Sequence, residues 1–349
     1  MTDPNRAPFL ANTRDSIRWH DVREWGVEGQ GWTDNERYYS RLPRHARSML
    51  DVDIWNLGQH SAGMYTEFVS DATEIYATWK LLSTAIALPH MPATSVSGID
   101  LYAQDVDGQW KWVAVGRPET SPDVELLLVS GLEPGKRRYR LYLPLYNGIE
   151  QLRIGVHRDA EFVPVSTLRP KPIVVYGTSI VQGCAASRAG MCHAAILGRW
   201  LDRPILNLGF SGRGKMEFAL AELLGELDAS VYVIDCLPNM EPELIAERAY
   251  PFIAYLRRTR PLVPMVLVED RSYSNSWVVP KLGDRNRASR DVFRRISESW
   301  MATDGLVRYV PGDGLLGGDG EATVDGSHPT DLGFMRMAER LRPVLRALI

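Results

Sequence analysis

A serine that follows a glycine-containing turn is the first residue of this sequence with the means to do acyl-transfer chemistry. Ser179 comes after Gly177 and Thr178, directly behind the apolar segment 173–176. A glycine between a strand and a helix lets the chain turn sharply and presents the serine hydroxyl near a helix N-terminus, where partial positive charge favours a developing oxyanion. Ser179 is therefore the candidate nucleophile. The alternative is that it only caps the helix.

The candidate general base is His328, in the segment Asp325-Gly-Ser-His328-Pro. A carboxylate three residues before a histidine in a tight turn can accept a hydrogen bond from the ring Nδ1–H, which fixes the tautomer and stabilises the imidazolium. The alternative is a capping aspartate beside a surface histidine. Of the six other histidines only His193 lies in the second half of the chain, inside a predicted helix. His328 therefore has little competition as the base.

Gly212 and Asn239 are predicted to supply oxyanion donors together with the backbone N–H of Ser179. Gly212 lies in Ser211-Gly-Arg-Gly, and its missing side chain lets a backbone N–H approach a substrate closely. Asn239 ends the segment Asp235-Cys-Leu-Pro-Asn, and an amide donates without having to be deprotonated. Plain turns are the alternative at both positions. A phosphate loop at Gly212 is disfavoured, because the spacing does not fit G-x-x-x-x-G-K-[ST].

The apolar pattern of the second half predicts the elements that position these residues. Five short apolar segments alternate with amphipathic helical stretches, which indicates a parallel sheet covered by helices on both faces. Ligands bind at the carboxyl ends of such strands, so we expect the four segments to meet at one sheet edge and to catalyse acyl transfer. The strands are predicted at 173–176, 205–208, 231–234, 265–268 and 307–310, and the helices at about 177–201, 215–228, 241–258, 286–302 and from Thr330 onwards.

The first half of the chain has a different rhythm, of short apolar and aromatic segments separated by turn residues. Strands are predicted at 64–69, 74–81, 98–103, 110–115 and 139–145, which is typical of an antiparallel β-sandwich. We place the domain boundary between residues 168 and 169, giving domains 1–168 and 169–349. Seven of the ten tryptophans lie in the first domain. Trp25, Trp32 and Trp55 are candidates for stacking on sugars, and the alternative is that they fill the sandwich core.

Composition excludes several classes of function. The 349 residues carry a net charge of −3, with no basic field to hold a nucleic acid. Three cysteines cannot form a disulfide framework, and no zinc spacing is present. No apolar run is long enough to span a membrane, and the chain begins without the apolar core of a signal peptide. We expect a soluble, cytoplasmic protein; a leader lost from the chain is the alternative.

These segments resemble the four ordered blocks of the SGNH (GDSL-like) hydrolases. The blocks match Gly177-Thr-Ser179, Ser211-Gly212, Asn239 and Asp325-x-x-His328, with Thr178 in place of the family's usual Asp. Gly98-Ile-Asp-Leu-Tyr and Tyr39-Ser-Arg-Leu-Pro are similar to a bacterial subgroup whose N-terminal β-rich domain carries a Gly-x-Asp-Leu-Tyr motif. The resemblance implies a flavodoxin-like, three-layer α/β hydrolase domain with a parallel sheet, preceded by an antiparallel β-sandwich domain.

The resemblance also implies a serine esterase without metal or organic cofactor, acting on small acyl esters, commonly acetyl groups on carbohydrates. The partner would be a small-molecule or carbohydrate ester, and oligomeric state stays open, a homo-oligomer included. Three alternatives remain: a thioesterase or lysophospholipase, a non-catalytic carbohydrate-binding protein on an esterase fold, and an enzyme with Cys236 as nucleophile. Glu269 and Arg271, after the fourth strand, are expected to form a structural ion pair; alternatively, the loop from Glu269 to Trp277 shapes the acyl or leaving-group pocket.

Overall fold

Two antiparallel sheets form the N-terminal part of the protein in a computed structural model, which describes residues 15–165 and 170–349. The first sheet has the order β1-β8-β3-β6 and the second the order β5-β4-β7-β2-β9. The strands are β1 (Ile17–Asp21), β2 (Tyr65–Ser70), β3 (Ile75–Leu81), β4 (Asp100–Gln104), β5 (Trp110–Val115), β6 (Asp123–Val129), β7 (Arg137–Tyr142), β8 (Ile149–His157) and β9 (Phe162–Pro164), with the short helices α1 (Val52–Gly58) and α2 (Ala93–Val96) between them.

The core between these sheets is built from large side chains on alternate strand positions. Phe68, Trp79, Leu101, Tyr139 and Ile154 come from five strands of the two sheets and are buried in one cluster. Aromatic and branched side chains suit a pleated, half-buried surface, and their alternation in sequence predicts the sandwich that the structure confirms. Strands β1, β6, β8 and β9 lie outside the five strand segments named from the sequence.

The C-terminal part is a five-stranded parallel sheet with the order β11-β10-β12-β13-β14. This is the 2-1-3-4-5 order of flavodoxin-like folds, as expected. The strands are β10 (Ile173–Gly177), β11 (Ile205–Gly209), β12 (Val231–Asp235), β13 (Met265–Val268) and β14 (Val307–Val310). The helices are α3 (Ser179–Gln182), α4 (His193–Leu201), α5 (Phe218–Glu226), α6 (Pro242–Thr259), α7 (Pro280–Met301) and α8 (Asp331–Arg346). None of the described helices is long and apolar enough to cross a lipid bilayer.

Helices cover both faces of the parallel sheet, so the side chains of β10 are buried on both sides. Tyr176 lies in a cluster with Leu224 of α5, Phe252 of α6 and Phe293 of α7. The next residue back, Val175, lies in a second cluster that contains residues of α4 and α8. Burial on both faces explains why these strands read as continuous apolar runs rather than as alternating ones.

The sequence predicted one continuous helix over 177–201, but the segment contains two separate helices. It is broken after one turn by Gly183, whose φ of +110° lies in the left-handed region that favours glycine. The helix resumes at His193, which is therefore the first residue of α4 and not a mid-helix residue. Helix α7 begins at Pro280, earlier than predicted, because proline suits the first turn of a helix.

The segment between β1 and β2 ties the two parts together instead of extending the sandwich. Arg41 is buried, and its guanidinium donates to the carbonyl oxygens of Asn207 at 2.9 Å and Gly209 at 2.7 Å, both on β11. It also donates to the carbonyl oxygens of Leu57 at 2.6 Å and His60 at 3.0 Å. Burial lowers the pKa of Arg41 to about 9, and four carbonyl acceptors still favour the charged donor at neutral pH. Arg41 therefore clamps the end of β11.

Apolar side chains of the same segment enter the core of the parallel-sheet domain. Leu42, Ile54 and Trp55 are buried in the cluster that contains Tyr176 and the α5 and α6 side chains. A second link lies in the Gly98–Tyr102 motif, where buried Asp100 accepts hydrogen bonds from Arg188 and from the backbone N–H of Gly190, each at 2.8 Å. The predicted boundary between residues 168 and 169 lies outside the described residues.

Candidate active site

Ser179 is the first residue of α3, directly after the turn that ends β10. The helix is capped by Thr178, whose Oγ1 accepts a hydrogen bond from the N–H of Ile180 at 3.3 Å. Ser179 therefore does not serve as the cap, and its Oγ lies 2.9 Å from Nε2 of His328. Gly177 has to lack a side chain, since a Cβ there would lie 2.2 Å from the carbonyl oxygen of Asp235. This tight turn directs the serine hydroxyl to the sheet edge.

His328 is held by Asp325 through three hydrogen bonds in one turn. Asp325 Oδ2 lies 2.7 Å from His328 Nδ1, and its Oδ1 accepts the backbone N–H groups of His328 at 2.8 Å and Ser327 at 3.0 Å. With the proton on Nδ1 directed to the carboxylate, Nε2 is the acceptor for the Ser179 hydroxyl. Partial burial opposes ionisation of Asp325, but the His328 and Ser327 hydrogen bonds hold its pKa below the ordinary value. The carboxylate thus stays charged beside the ring.

The loops that carry the predicted oxyanion donors are hydrogen-bonded to one another. The amide Nδ2 of Asn239 donates to the carbonyl oxygen of Arg213 at 2.6 Å, one residue after Gly212. The N–H of Phe210 donates to the carbonyl oxygen of Gly177 at 2.9 Å, which joins the Gly212 loop to the serine turn. Gly212 has a φ of +70° and open space where a Cβ would lie. The geometry therefore brings these loops together, and the donor roles stay predictions.

The N-terminal part lines the same site through loops that the sequence could not locate. A cavity of about 590 Å³ has a wall made of Asp53, Asn56, Leu57, His60, Leu88 and Tyr146, opposite Ser211, Gly212 and Arg213. Tyr146 donates its hydroxyl to the carbonyl oxygen of Ser179 at 3.2 Å. The His90 ring lies with its centroid 5.9 Å from that of His328, and its Nε2 is 3.1 Å from the Cys184 sulfur. The N-terminal domain thus lends loops to the site.

His60 is held as a neutral side chain at the base of this wall. Gln182 donates from Nε2 to His60 Nδ1 at 3.0 Å, while its Oε1 accepts the N–H of Ser211 at 3.0 Å. Burial, with the charge of Arg41 adding to it, lowers the pKa of His60 to about 3. A protonated Nδ1 would oppose the Gln182 amide hydrogens, which agrees with this direction. The Gln182 side chain therefore connects the N-terminal wall to the Gly212 loop.

The three tryptophans proposed for sugar stacking do not line this cavity. Trp25 packs against the sandwich core and donates to Thr66 Oγ1 at 2.8 Å, in line with the alternative interpretation. Trp32 and Trp55 instead pack against the core of the parallel-sheet domain, and Trp32 donates to Glu226 Oε2 at 2.7 Å. Their positions follow from how the two domains pack together.

The loop after β13 supports the His328 turn, and the predicted Glu269–Arg271 pair is wrong. Arg271 pairs with buried Asp235 at 2.6 Å, whereas Glu269 pairs with Arg294 at 2.7 Å. Further along the loop, the N–H of Ser274 donates to the carbonyl oxygen of Gly326 at 2.9 Å. Glu269 and Arg271 each pair with a residue far away in sequence, so their proximity in sequence was a poor guide to the pairing.

The alternative nucleophile Cys236 is poorly suited to catalysis. Its side chain is fully buried beside the core of the parallel-sheet domain. Burial, together with the nearby carboxylates of Glu217 and Asp235, raises the pKa of its thiol well above the ordinary value. A thiol has to ionise to act as a nucleophile, so this environment disfavours Cys236.

Comparison with known proteins identifies a family for each part of the chain. The model of the GDSL-like lipase/acylhydrolase family matches residues 170–346, and that of the GxDLY domain, the N-terminus of SGNH-hydrolase-type esterases, matches residues 17–162. No curated protein sequence matches the chain. A solved structure described as a GDSL-like lipase from Bacteroides ovatus ATCC 8483 is 31% identical, with a TM-score of 0.89, covering 95% of this chain and 98% of that chain.

Two more distant structures share the fold. The salicylyl-acyltransferase SsfX3 from a tetracycline biosynthetic pathway is 18% identical with a TM-score of 0.74, and a family two carbohydrate esterase from Cellvibrio japonicus is 13% identical with a TM-score of 0.60. Each comparison covers 95% of this chain and 98% of the other. With a family model matched over half of its length and the serine, histidine and aspartate in hydrogen-bonding order, the chain belongs to the GDSL-like lipase/acylhydrolase family.

Proposed function

We propose that this protein is a serine esterase that removes small acyl groups, acetyl foremost, from carbohydrate esters. The observation that carries the proposal is the chain of hydrogen bonds from Ser179 Oγ to His328 Nε2 at 2.9 Å and from His328 Nδ1 to Asp325 Oδ2 at 2.7 Å. This order equips one side chain to attack, one to move a proton and one to hold the imidazolium.

The mechanism follows from the positions of these atoms. His328 Nε2 takes the proton of Ser179 as Oγ attacks the ester carbonyl, and the tetrahedral oxyanion receives hydrogen bonds from the N–H groups of Ser179 and Gly212 and from the Asn239 amide. His328 then gives the proton to the leaving alcohol, and the acyl-enzyme remains. Water, deprotonated by His328, attacks the acyl carbonyl and releases the acid and the free serine.

Polar side chains in the cavity wall support an ester with a hydroxyl-rich alcohol portion as substrate. Asp53, Asn56 and Arg213 line the 590 Å³ cavity beside Gly212, and Arg213 pairs with Asp53. These side chains offer hydrogen bonds to a hydroxyl-rich alcohol portion, beside the apolar surface of Leu57 and Leu88. Structures with the same fold include family two carbohydrate esterases, which motivates acetylated sugars as the first substrates to test.

A panel of p-nitrophenyl esters of increasing acyl length, acetylated xylo-oligosaccharides, an acyl-thioester and a lysophospholipid tests this proposal. We expect the highest kcat/KM on acetyl esters and release of acetate from the sugar. A preference for the thioester or the lysophospholipid would replace the substrate class while keeping the catalytic serine.

Covalent labelling with a fluorophosphonate separates an esterase from a carbohydrate-binding protein. We expect the wild type to be labelled once, at Ser179, and the Ser179→Ala variant to stay unlabelled. Ser299→Ala is the matched control, because it removes a serine hydroxyl from the exposed side of α7. A folded wild type that resists the probe and hydrolyses no ester would overturn the enzymatic assignment altogether.

A further inference from the structure

A second cleft, of about 660 Å³, lies where the β4–β5 hairpin meets α4 and α8. It shares no lining residue with the catalytic cavity. Arg342 lines it from α8, 11 residues beyond the start of that helix beside the His328 turn. At a rise of about 1.5 Å per residue, this places Arg342 about 16 Å along the helix from the catalytic end. The cleft is therefore a separate site.

The lining of this cleft is positively charged, although the chain as a whole carries −3. One of its basic residues, Arg188, is neutralised by buried Asp100 at 2.8 Å. Lys111 lies 3.7 Å from Asp105. Arg199 and Arg342 have no carboxylate within 4.0 Å among residues 15–165 and 170–349. The charged residues that line the cleft are Lys111, Arg188, Arg199 and Arg342, with Asp202 as the single acid.

Arg199 is held in place by aromatic rings while part of its guanidinium lacks a partner. Its Cζ lies 4.1 Å from the centroid of the Tyr102 ring and 5.5 Å from that of Tyr142. Its Nη1 is buried and has no hydrogen-bond acceptor within the described part of the chain. Buried donors are nearly always paired, because leaving one unpaired is costly. Arg199 also lines the cleft and is only half-buried, so a ligand's carboxylate can pair with the accessible part of its guanidinium.

Tryptophan rings make the cleft suitable for a cyclic ligand. Trp110 and Trp200 both line it, from the hairpin and from α4. The Cζ of Arg342 lies 5.4 Å from the centroid of the Trp200 ring. Guanidinium groups match the planar geometry of a carboxylate, and aromatic faces pack against sugar rings. Gln104 and Gln109 at the same wall offer hydrogen bonds to hydroxyl groups.

We propose that this cleft binds an acidic saccharide, a uronate unit whose carboxylate pairs with Arg199 and whose ring packs against a tryptophan. Arg342 adds charge at the rim of the cleft. The binding needs no catalytic residue, so the proposal stands or falls separately from the esterase assignment. It gives the protein a second point of contact with a polysaccharide that carries both uronate and acyl groups.

Isothermal titration calorimetry of the full chain with trigalacturonate tests this site, with xylotriose as the neutral probe. The Ser179→Ala protein serves as host so that no turnover occurs. We expect trigalacturonate to bind and xylotriose to bind at least about tenfold more weakly. Arg199→Gln should weaken trigalacturonate binding about tenfold, the usual scale for a lost hydrogen bond to a charged group. Arg342→Gln should weaken it about threefold, because a charge at the rim is exposed to solvent.

Arg258→Gln is the matched control, because Arg258 also stacks on an aromatic ring, 5.2 Å from the Tyr255 centroid, but on α6 at the opposite face of the sheet. It should leave binding unchanged. If Arg199→Gln fails to fold, the exposed Arg342 decides alone. Absence of trigalacturonate binding, equal binding of xylotriose, or unchanged binding in Arg342→Gln would overturn the proposal. So would trigalacturonate blocking fluorophosphonate labelling of the wild type, which would place the ligand in the catalytic cavity.

Discussion

The two sides of the candidate active site differ in how they are built. The sheet side, made of Ser179, Gly212, Asn239, Asp325 and His328, stands on short turns at the carboxyl edge of one parallel sheet. The N-terminal side, made of Asp53, His60, His90 and Tyr146, comes from loops that reach the cavity only through packing between domains. The first side is fixed by local backbone geometry, and the second depends on contacts far apart in sequence. Substitutions on the sheet side should therefore lower activity, whereas substitutions that disturb the N-terminal side should lower stability, and the two effects can be measured separately.

The largest effect is expected on the sheet side, from Ser179→Ala. Removing the proposed nucleophile should lower kcat on p-nitrophenyl acetate by about 10⁴-fold or more, since the members of such a triad act as a unit. Thermal unfolding should stay close to that of the wild type, because only one hydroxyl is lost. Steady-state kinetics checks the rate. Retention of normal activity would show that the nucleophile lies elsewhere.

Asn239→Ala should also lower kcat, but by less than Ser179→Ala. Losing one oxyanion donor typically costs about 10²–10³ in kcat, with KM little changed. The Asn239 amide also bonds to the Arg213 carbonyl at 2.6 Å, so loosening of the Gly212 loop would add an effect. Urea unfolding of Asn239→Ala separates the two contributions, because loss of the hydrogen bond to the Arg213 carbonyl lowers stability, whereas loss of an oxyanion donor lowers only kcat. An Asn239→Ala enzyme as fast as the wild type would remove this residue from the oxyanion hole.

Arg41→Met tests the contacts that hold the N-terminal side in place, because Arg41 joins the backbone of His60 to that of β11. Four carbonyl oxygens would lose their charged donor in a buried place, and we expect the free energy of unfolding to fall by about 3 kcal/mol or more. Urea titration measures this loss. Activity at 15 °C should fall less than in Asn239→Ala, because the catalytic side chains stay. A variant that keeps full stability but loses all activity would contradict the division between the two sides.

The smallest effect concerns pH. Burial lowers the pKa of His60, and that of His193, to about 3, whereas an unfolded chain gives histidine about 6.5. Between these values the unfolded state binds more protons, so stability rises with pH and is lost as pH falls below about 6.5. Each histidine adds at most about 1.4 kcal/mol per pH unit to this slope.

His193→Phe should reduce the slope of the unfolding free energy against pH between pH 6 and pH 4 by the equivalent of about one bound proton. His60→Gln should reduce this slope by the same amount. His193 suits this replacement because its ring already stacks on Phe334, 5.7 Å between centroids. Urea unfolding at pH 4, 5, 6 and 7 gives the slopes. An unchanged slope in both variants would show that these histidines do not resist protonation in the folded protein.

The meeting of Ser179, His328 and Asp325 could be predicted from the sequence, because these residues lie in turns with a physical signature. Gly177 before Ser179, and an aspartate three residues before His328, are local patterns that only a few backbone geometries satisfy. Strand positions on the parallel sheet were also close, since continuous apolar runs mark strands buried on both faces. The substitution of Thr178 for the family's usual Asp turned out to place a capping hydroxyl at the start of α3.

The N-terminal side could not be predicted in the same way. His60 and Tyr146 lie 86 residues apart in sequence and 122 and 33 residues from their partners Gln182 and Ser179, and no local spacing records such contacts. The predicted ion pair between Glu269 and Arg271 was wrong for a related reason. These two neighbours in a loop point to different parts of the core and find different partners there. Tyr39–Pro43 and Gly98–Tyr102 resembled family motifs without revealing that they join the two domains.

The burial of Leu42, Ile54 and Trp55 in the core around Tyr176 has a practical consequence for engineering. A shortened enzyme that begins at residue 170 would lack part of its own interior and would present a wide apolar patch to solvent. Such a surface favours aggregation over secretion or display. Chimeras that exchange substrate preference should therefore transplant the segment from β1 to β2 with the hydrolase sheet, and place their junctions in the outer strands of the sandwich.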